Sequence, residues 1–127
     1  MKLGKFSGII TSMFTDEMDI YRYEDVTNED ATTDTKLSET PVQKEVPCRI
    51  SFSADENPRD VEVDNVPIRL APKIFCSLNT NIRAGDYVIL RRYNDDGYIV
   101  AIYSGNVGLP SVFSTHKEAL FSIERST

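Results

Sequence analysis

Residues 87–104, YVILRRYNDDGYIVAIYS, decide the fold. Two runs rich in Val, Ile and Tyr, which favour β-strands, flank the four residues Asn-Asp-Asp-Gly at 94–97. An Asp-Gly pair between two such runs is typical of a β-hairpin, because glycine adopts the positive φ that the turn requires. The sequence therefore predicts two antiparallel strands, 87–93 and 98–104.

Further short strands are predicted on both sides of this hairpin. Upstream, EMDIYRY at 17–23 is rich in strand-favouring residues, and apolar and polar residues alternate from Cys48 to Phe52. A weaker alternation covers 61–63, KIFCSL at 73–78 is apolar on both faces, and the alternation in KEALFSIE at 117–124 favours a last strand over a helix. About six or seven short strands in a chain of this length predict a mainly β protein. We expect one domain, 1–127, with a small antiparallel barrel of about six strands over 46–124; a sandwich is the alternative.

The N-terminus has the periodicity of a helix. Apolar residues recur at the spacing of one helical face, which predicts a short helix over residues 1–14, although a glycine interrupts it. Two interpretations stay open, because this stripe can pack on the core of its own domain or dock on a neighbouring subunit. Its candidate contact residues are Phe6, Ile9, Ile10 and Met13.

Two long acidic stretches separate the predicted strands. Residues 24–45 contain seven acids, two bases and only four apolar residues in 22. Such a composition buries too little apolar area to offset the entropy of ordering, so we predict a long, mobile, acidic loop. The second stretch, 53–66, carries acids alternating with valines, which is typical of the solvent face of a strand or of an acidic wall. Its candidate residues are Asp55, Glu56, Asp60, Glu62 and Asp64.

The overall charge excludes several classes of partner. The net charge is −6, so the surface repels phosphate, whereas proteins that bind nucleic acid or anionic membranes carry excess Lys and Arg. No run of apolar residues approaches the length of about 20 residues that a transmembrane helix requires. We expect the two cysteines, Cys48 and Cys76, to be buried thiols rather than a disulfide, which agrees with synthesis in a cytoplasm.

No group of residues has the pattern of an active site. His116 is the only histidine and has no second imidazole or cysteine cluster beside it, so we interpret it as structural or surface-exposed. Gly85 in Ala-Gly-Asp lacks the other glycines and the lysine of a phosphate loop and is interpreted as a turn. Arg91 and Arg92 form a small basic patch, either an exposed hairpin end or a contact for an acidic neighbouring subunit. We therefore predict no enzyme activity, no cofactor and no metal.

Three strings in the second half of the chain, taken in order, resemble a known family. They are VPCRISF at 46–52, PKIFCSLNTNIRAGDYVIL at 72–90 and GLPSVFSTHKEALFSIE at 108–124. Their order and spacing resemble the head-closure, or stopper, proteins of tailed bacteriophages and prophages of Gram-positive bacteria, which are also described as minor capsid or head–tail connector proteins. The similar part covers about 80 of the 127 residues.

This resemblance implies a structural role in the virion neck. Family members have a six-stranded barrel and form a ring of six or twelve subunits between the portal and adaptor on one side and the tail terminator on the other. A loop then plugs the DNA channel after packaging, with only passing contact to double-stranded DNA. Either 24–45 or 53–66 is the corresponding loop, and we favour 53–66 because it joins two strands as a hairpin. The alternatives are another neck or tail-completion component and, less favoured, an OB-type binding module.

Overall fold

The structure is a computed structural model that describes residues 14–52, 62–63, 66–67 and 72–127. The described residues form β-strands joined by turns. The strands are β1 (Asp16–Tyr21), β2 (Tyr23–Thr27), β3 (Thr33–Leu37), β4 (Gln43–Ser51), β5 (Glu62–Val63), β6 (Val66–Pro67), β7 (Lys73–Cys76), β8 (Tyr87–Tyr93), β9 (Ile99–Val107), β10 (Ser111–Val112) and β11 (Lys117–Ser126).

Six of these strands close into an antiparallel barrel in the order β11-β7-β4-β1-β8-β9, and β9 pairs back with β11. The short β10 also pairs with β11. The amide of Gly108 donates to the Leu120 carbonyl, whereas the next amide, of Phe121, donates to the Pro72 carbonyl. Because neighbouring residues of a strand direct their hydrogen bonds to opposite edges, β10 continues along the edge of β11 that β9 occupies. The predicted barrel of about six strands is confirmed. Its predicted range of 46–124 was too narrow, because β1 lies between β4 and β8 in the barrel and β4 already begins at Gln43.

The core is the interior of this barrel. Along β1 the side chains alternate between buried and half-buried, as expected for a strand with one face inside. Both cysteines lie inside and neither is in a disulfide, which confirms the prediction of buried thiols. The buried apolar set is Met18, Ile20, Val46, Cys48, Ile50, Ile74, Cys76, Ile82, Val88, Leu90, Val107, Ala119 and Phe121.

One glycine is required where β9 meets β11. Gly105 faces Ile123 at the point where the pairing of the two strands shifts register. A Cβ atom on Gly105 would overlap the backbone carbonyl oxygen of Ser122 and lie 2.9 Å from the Glu124 amide nitrogen. Any side chain at position 105 would therefore push the two strands apart.

The hairpin predicted at 87–104 is confirmed, and its second strand, β9, continues to Val107. Its turn is built as the Asp-Gly pair predicts, since Gly97 has a φ of 85°. The Asn94 side-chain oxygen accepts hydrogen bonds from the amides of Asp96 and Tyr98 at 3.0 and 2.9 Å. The predicted last strand is also confirmed, as β11.

The structure corrects the prediction for residues 24–45, which are not an irregular loop. Strands β2 and β3 pair as a hairpin, with Tyr23 opposite Leu37 and Thr27 opposite Thr33, and β4 already begins at Gln43. We call residues 23–37 the acidic arm. Counting apolar residues missed it because the two strands are joined by backbone hydrogen bonds while most of their side chains stay in solvent. Its predicted mobility stays a prediction.

Side-chain hydrogen bonds stabilise the turn between β2 and β3 at the end of the acidic arm. The Asp30 carboxylate accepts from the Thr32 amide at 3.2 Å and from the Thr32 hydroxyl at 2.6 Å. The Asn28 side-chain amide donates to Asp34 at 2.7 Å. Ala31 has a φ of 68°, which a glycine would adopt at lower cost.

Several predicted features lie outside the described residues. They include residues 1–13 of the helix predicted over 1–14, with Phe6, Ile9, Ile10 and Met13, and, in the second acidic stretch, Asp55, Glu56, Asp60 and Asp64. Glu62 belongs to the two-residue strand β5, which pairs with β6.

Candidate functional site

The root of the acidic arm is held by an ion pair to a distant turn. Arg22, between β1 and β2, donates from Nε to Oδ1 of Asp86 at 3.0 Å and from Nη2 to Oδ2 at 2.9 Å. Asp86 is only 2% exposed, and its Oδ2 also accepts the Arg83 amide at 2.8 Å. The hydrogen bond to Asp86 raises the pKa of Arg22. We call this pair the root clamp.

The turn that carries Asp86 explains part of the sequence pattern behind the family resemblance. In the string Ile82-Arg-Ala-Gly-Asp86, Ile82 is buried in the core and Gly85 has a φ of 87°. The Gly85 amide donates to the Val107 carbonyl at 2.8 Å, and the Val107 amide donates to the Asp86 carbonyl at 2.9 Å. The Ile-x-Ala-Gly-Asp string therefore fixes a buried carboxylate at the end of β9, where it receives Arg22.

A second ion pair lies on the outer face of β1, three residues before Arg22. Arg91 donates to both carboxylate oxygens of Asp19, at 3.0 and 3.1 Å. The same carboxylate accepts the Glu45 amide at 2.8 Å, where two residues of β4 face one residue of β1. Glu45 has a φ of 53°, so Asp19 stabilises an unusual backbone conformation at this bulge. The hydrogen bonds from Arg91 lower the pKa of Asp19, and those to Asp19 raise the pKa of Arg91.

The two arginines predicted as partner contacts thus have different surroundings. Arg91 is bound to Asp19 and half-buried, whereas Arg92 is exposed near the end of β8. Adjacent residues of a strand point to opposite faces, which separates them.

Asp16 is a buried carboxylate at the start of β1, on the inner face of the barrel. It is 1% exposed, and its Oδ2 accepts the Ile50 amide at 2.9 Å. Its other oxygen, Oδ1, has no hydrogen-bond partner among the described residues. Burial raises the pKa of Asp16, and hydrogen bonding to the Ile50 amide opposes that effect.

Exposed apolar side chains cluster at the two ends of β9. At its start, beside the 94–97 turn, Tyr98, Ile99 and Val100 are exposed. Beyond its end, a second patch flanks an open cavity of about 280 Å³. This second patch contains Leu109, which is 81% exposed, with Val112, Phe113 and Leu120. A strand of nine residues is about 30 Å long, so the patches are well separated.

His116 lies at the edge of this second patch. Its ring stacks on Phe113 with centroids 5.0 Å apart, and Nε2 lies 2.9 Å from a carboxylate oxygen of Glu118. These contacts agree with its interpretation as a structural residue.

Sequence reasoning missed Arg22, Asp86 and Asp19. Asp86 was visible only as part of a turn, and its partner lies 64 positions away in the sequence. Among the described residues, no group of three or more His, Cys, Asp or Glu side chains is arranged to hold a metal ion. In the same part of the chain, no helix has the length and apolarity needed to cross a membrane. Comparison with models of protein families, curated proteins and solved structures finds no match.

Proposed function

We propose that this protein is a structural subunit of a tailed-phage neck, where it forms a ring between the portal and adaptor and the tail and closes the DNA channel after packaging. The proposal rests on the resemblance of 46–52, 72–90 and 108–124 to head-closure proteins. The observation that carries it is the acidic arm, a β-hairpin anchored through the root clamp on a closed barrel.

The charge of the arm suits an element that blocks DNA without binding it. Residues 23–37 contain five acids and one base, and most of their side chains are exposed. Carboxylates repel phosphates, so DNA does not adhere to such a surface when the channel opens. Closure then comes from the backbone of the arm, which obstructs the channel, and a ring brings several arms to one axis.

The two apolar patches support assembly into a larger structure. Contiguous exposed apolar side chains on a small protein are typical of surfaces that other proteins cover. The patches lie at opposite ends of β9 and are made of different residues, as a head-to-tail contact between neighbouring subunits requires. The portal and adaptor ring and the tail terminator are the other proposed partners.

The experiment that tests closure measures nuclease protection of packaged DNA in heads that lack tails. In one variant an Asn-Gly turn replaces residues 26–34, so that Asp25 and Thr35, which already face each other, end the shortened strands. In a second variant the same turn replaces 54–65, the stretch favoured from sequence. A control keeps the arm at full length with Glu24→Gln and Glu29→Gln.

We expect heads with the shortened arm to package DNA and then leak it, and heads with the full-length, less acidic arm to stay closed. Leakage only from the 54–65 variant would assign closure to that connection instead. Full protection in both shortened variants would contradict the head-closure proposal. It would favour the second candidate, a passive neck or tail-completion component, which the apolar patches support equally well.

An OB-type binding module has less support. That fold has five strands and binds nucleic acid through a basic, aromatic groove. This barrel has six strands, and its most prominent extension among the described residues is acidic.

A further inference from the structure

The two cysteines face each other across neighbouring strands of the barrel. Cys48 in β4 is the direct partner of Cys76 in β7 in the antiparallel register. Both side chains are on the inner face and buried, with exposed fractions of 0% and 1%. The two thiols are 28 positions apart in the sequence, at the two strands that flank the connection from Ser51 to Lys73.

Hydrogen bonds of neighbouring residues show whether the two cysteines are a hydrogen-bonded or a non-hydrogen-bonded pair of the antiparallel ladder. The Ile50 amide donates to Asp16 on β1, so the backbone groups of Ile50 and, two residues earlier, of Cys48 point toward β1. The Pro72 carbonyl accepts from Phe121 on β11, so the backbone groups of Cys76, four residues later, point toward β11. Neither cysteine therefore bonds the other through its backbone.

Such a non-hydrogen-bonded pair has the geometry that a disulfide needs. Its Cα atoms lie about 4.5 Å apart, and its side chains are closer together than those of a hydrogen-bonded pair. Disulfides span Cα separations of about 4.4–6.8 Å. A bond between the two sulfur atoms thus requires only rotation about the side-chain bonds and small backbone adjustments.

We propose that Cys48 and Cys76 are an oxidative modification site, which a low-molecular-weight disulfide such as oxidised glutathione converts into a cross-strand disulfide between β4 and β7. One cysteine thiolate attacks the glutathione disulfide, forms a mixed disulfide and releases one glutathione. The second thiolate attacks the protein sulfur of that mixed disulfide and releases the other glutathione. Two protein thiols are oxidised, one glutathione disulfide is reduced, and the two thiol protons end on the released glutathiones.

Burial determines when this reaction occurs. Desolvation raises the pKa of both thiols, and the closed barrel keeps oxidants away from them. The bond therefore forms while the chain folds or when the barrel opens. A chain made in a reducing compartment keeps both thiols, and a chain that folds or opens in an oxidising medium acquires the crosslink. The proposal depends on the barrel alone and not on the proposed neck function.

The test refolds the full-length, reduced and denatured chain in buffers with increasing ratios of oxidised to reduced glutathione. The products are trapped with acid and analysed by mass spectrometry, and circular dichroism confirms the fold. Cys48→Ala and Cys76→Ala are the matched controls. We expect the wild type to lose two hydrogen atoms and to remain monomeric, whereas each control forms only a mixed disulfide with glutathione or stays reduced.

The crosslinked form should also unfold at a higher temperature. Closing a loop of this length removes entropy from the unfolded chain, which predicts a rise in Tm of about 10 °C over the reduced form. Folded wild-type protein that keeps two thiols at every glutathione ratio, or forms only mixed disulfides or dimers, would overturn the proposal. So would a crosslinked form that unfolds at a lower temperature than the reduced form.

Discussion

Replacing Arg22 with alanine should destabilise the whole protein by about 3 kcal/mol. The change removes two charge-assisted hydrogen bonds from Asp86, at 3.0 and 2.9 Å, and leaves its carboxylate with only the Arg83 amide. Breaking a buried ion pair costs about 3–5 kcal/mol because the remaining charge stays desolvated. Asp86 is buried but the Arg22 side chain is 25% exposed, which places the expected loss at the lower end of that range.

A loss of this size is easily measured. A domain of 127 residues has a free energy of unfolding of about 10 kcal/mol, so Arg22→Ala removes roughly a third of it. Urea denaturation followed by circular dichroism gives the change directly, and Tm should fall by about 10 °C. Arg83→Ala is the matched control, because its backbone amide rather than its side chain bonds Asp86, and we expect a change below about 0.5 kcal/mol.

The double variant separates the ion pair from its surroundings. If the clamp acts as a unit, Asp86→Ala in the Arg22→Ala background should cost much less than in the wild type. Limited proteolysis of the acidic arm should also become faster in Arg22→Ala, since its root is loosened. An Arg22→Ala protein within about 0.5 kcal/mol of the wild type, with an unchanged cleavage rate, would refute the role of this pair as a clamp.

Two further predictions use pairs of variants that should behave differently. Because burial raises the pKa of Asp16, the free energy of unfolding of the wild type falls as pH rises through that pKa. Asp16→Asn removes this loss, so urea titrations should give the variant a higher free energy of unfolding near neutral pH. The lowered pKa of Asp19 means that stability is lost as pH falls below its ordinary value of 3.8, so Asp19→Asn should lose about 1.5 kcal/mol near neutral pH and little in acid. The same pH dependence in both variants would contradict these assignments. Gly105→Ala should lower Tm sharply or prevent folding, because the added methyl group overlaps the facing backbone of β11. Gly108→Ala is the control and should fold normally, because its added methyl group would have its nearest contact at 3.8 Å. Equal Tm values for the two variants would contradict the close approach of β9 and β11 at Gly105.

Local patterns predicted most strands of the barrel, although they left a sandwich open as the alternative. The hairpin from 87 to 104 follows from the Asp-Gly turn, and alternation identified β4 and β11 before their partners were known. Composition failed at the acidic arm for a physical reason. It measures how much apolar area a segment buries, but Thr, Asn and Asp stabilise β2, β3 and their turn through hydrogen bonds that leave the side chains in solvent.

The ion pairs could not be predicted, because each depends on how strands far apart in the sequence are aligned. Arg91 lies opposite Glu17 and reaches Asp19 diagonally only when β8 pairs with β1 in this register, and a slip of one residue would direct Arg92 to that face instead. The alternation of a strand directs Arg91 and Arg92 to opposite faces, whereas they were predicted from the sequence as one basic patch. Alternation alone was not enough to show which one is neutralised.

Both ion pairs hold the chain segment that leads through β1 into the acidic arm, and this arrangement has a mechanical consequence for the proposed function. Asp19 bonds β8 and the bulge in β4, while Arg22, three residues later, bonds the turn before β8. A force on the arm therefore passes into two strands and a turn that belong to the closed barrel, and does not act on a single flexible connection. A hairpin of two short strands is only marginally stable alone, so a hairpin that resists DNA under pressure needs such an anchored root. It follows that loosening the root should weaken closure even when the end of the arm is unchanged.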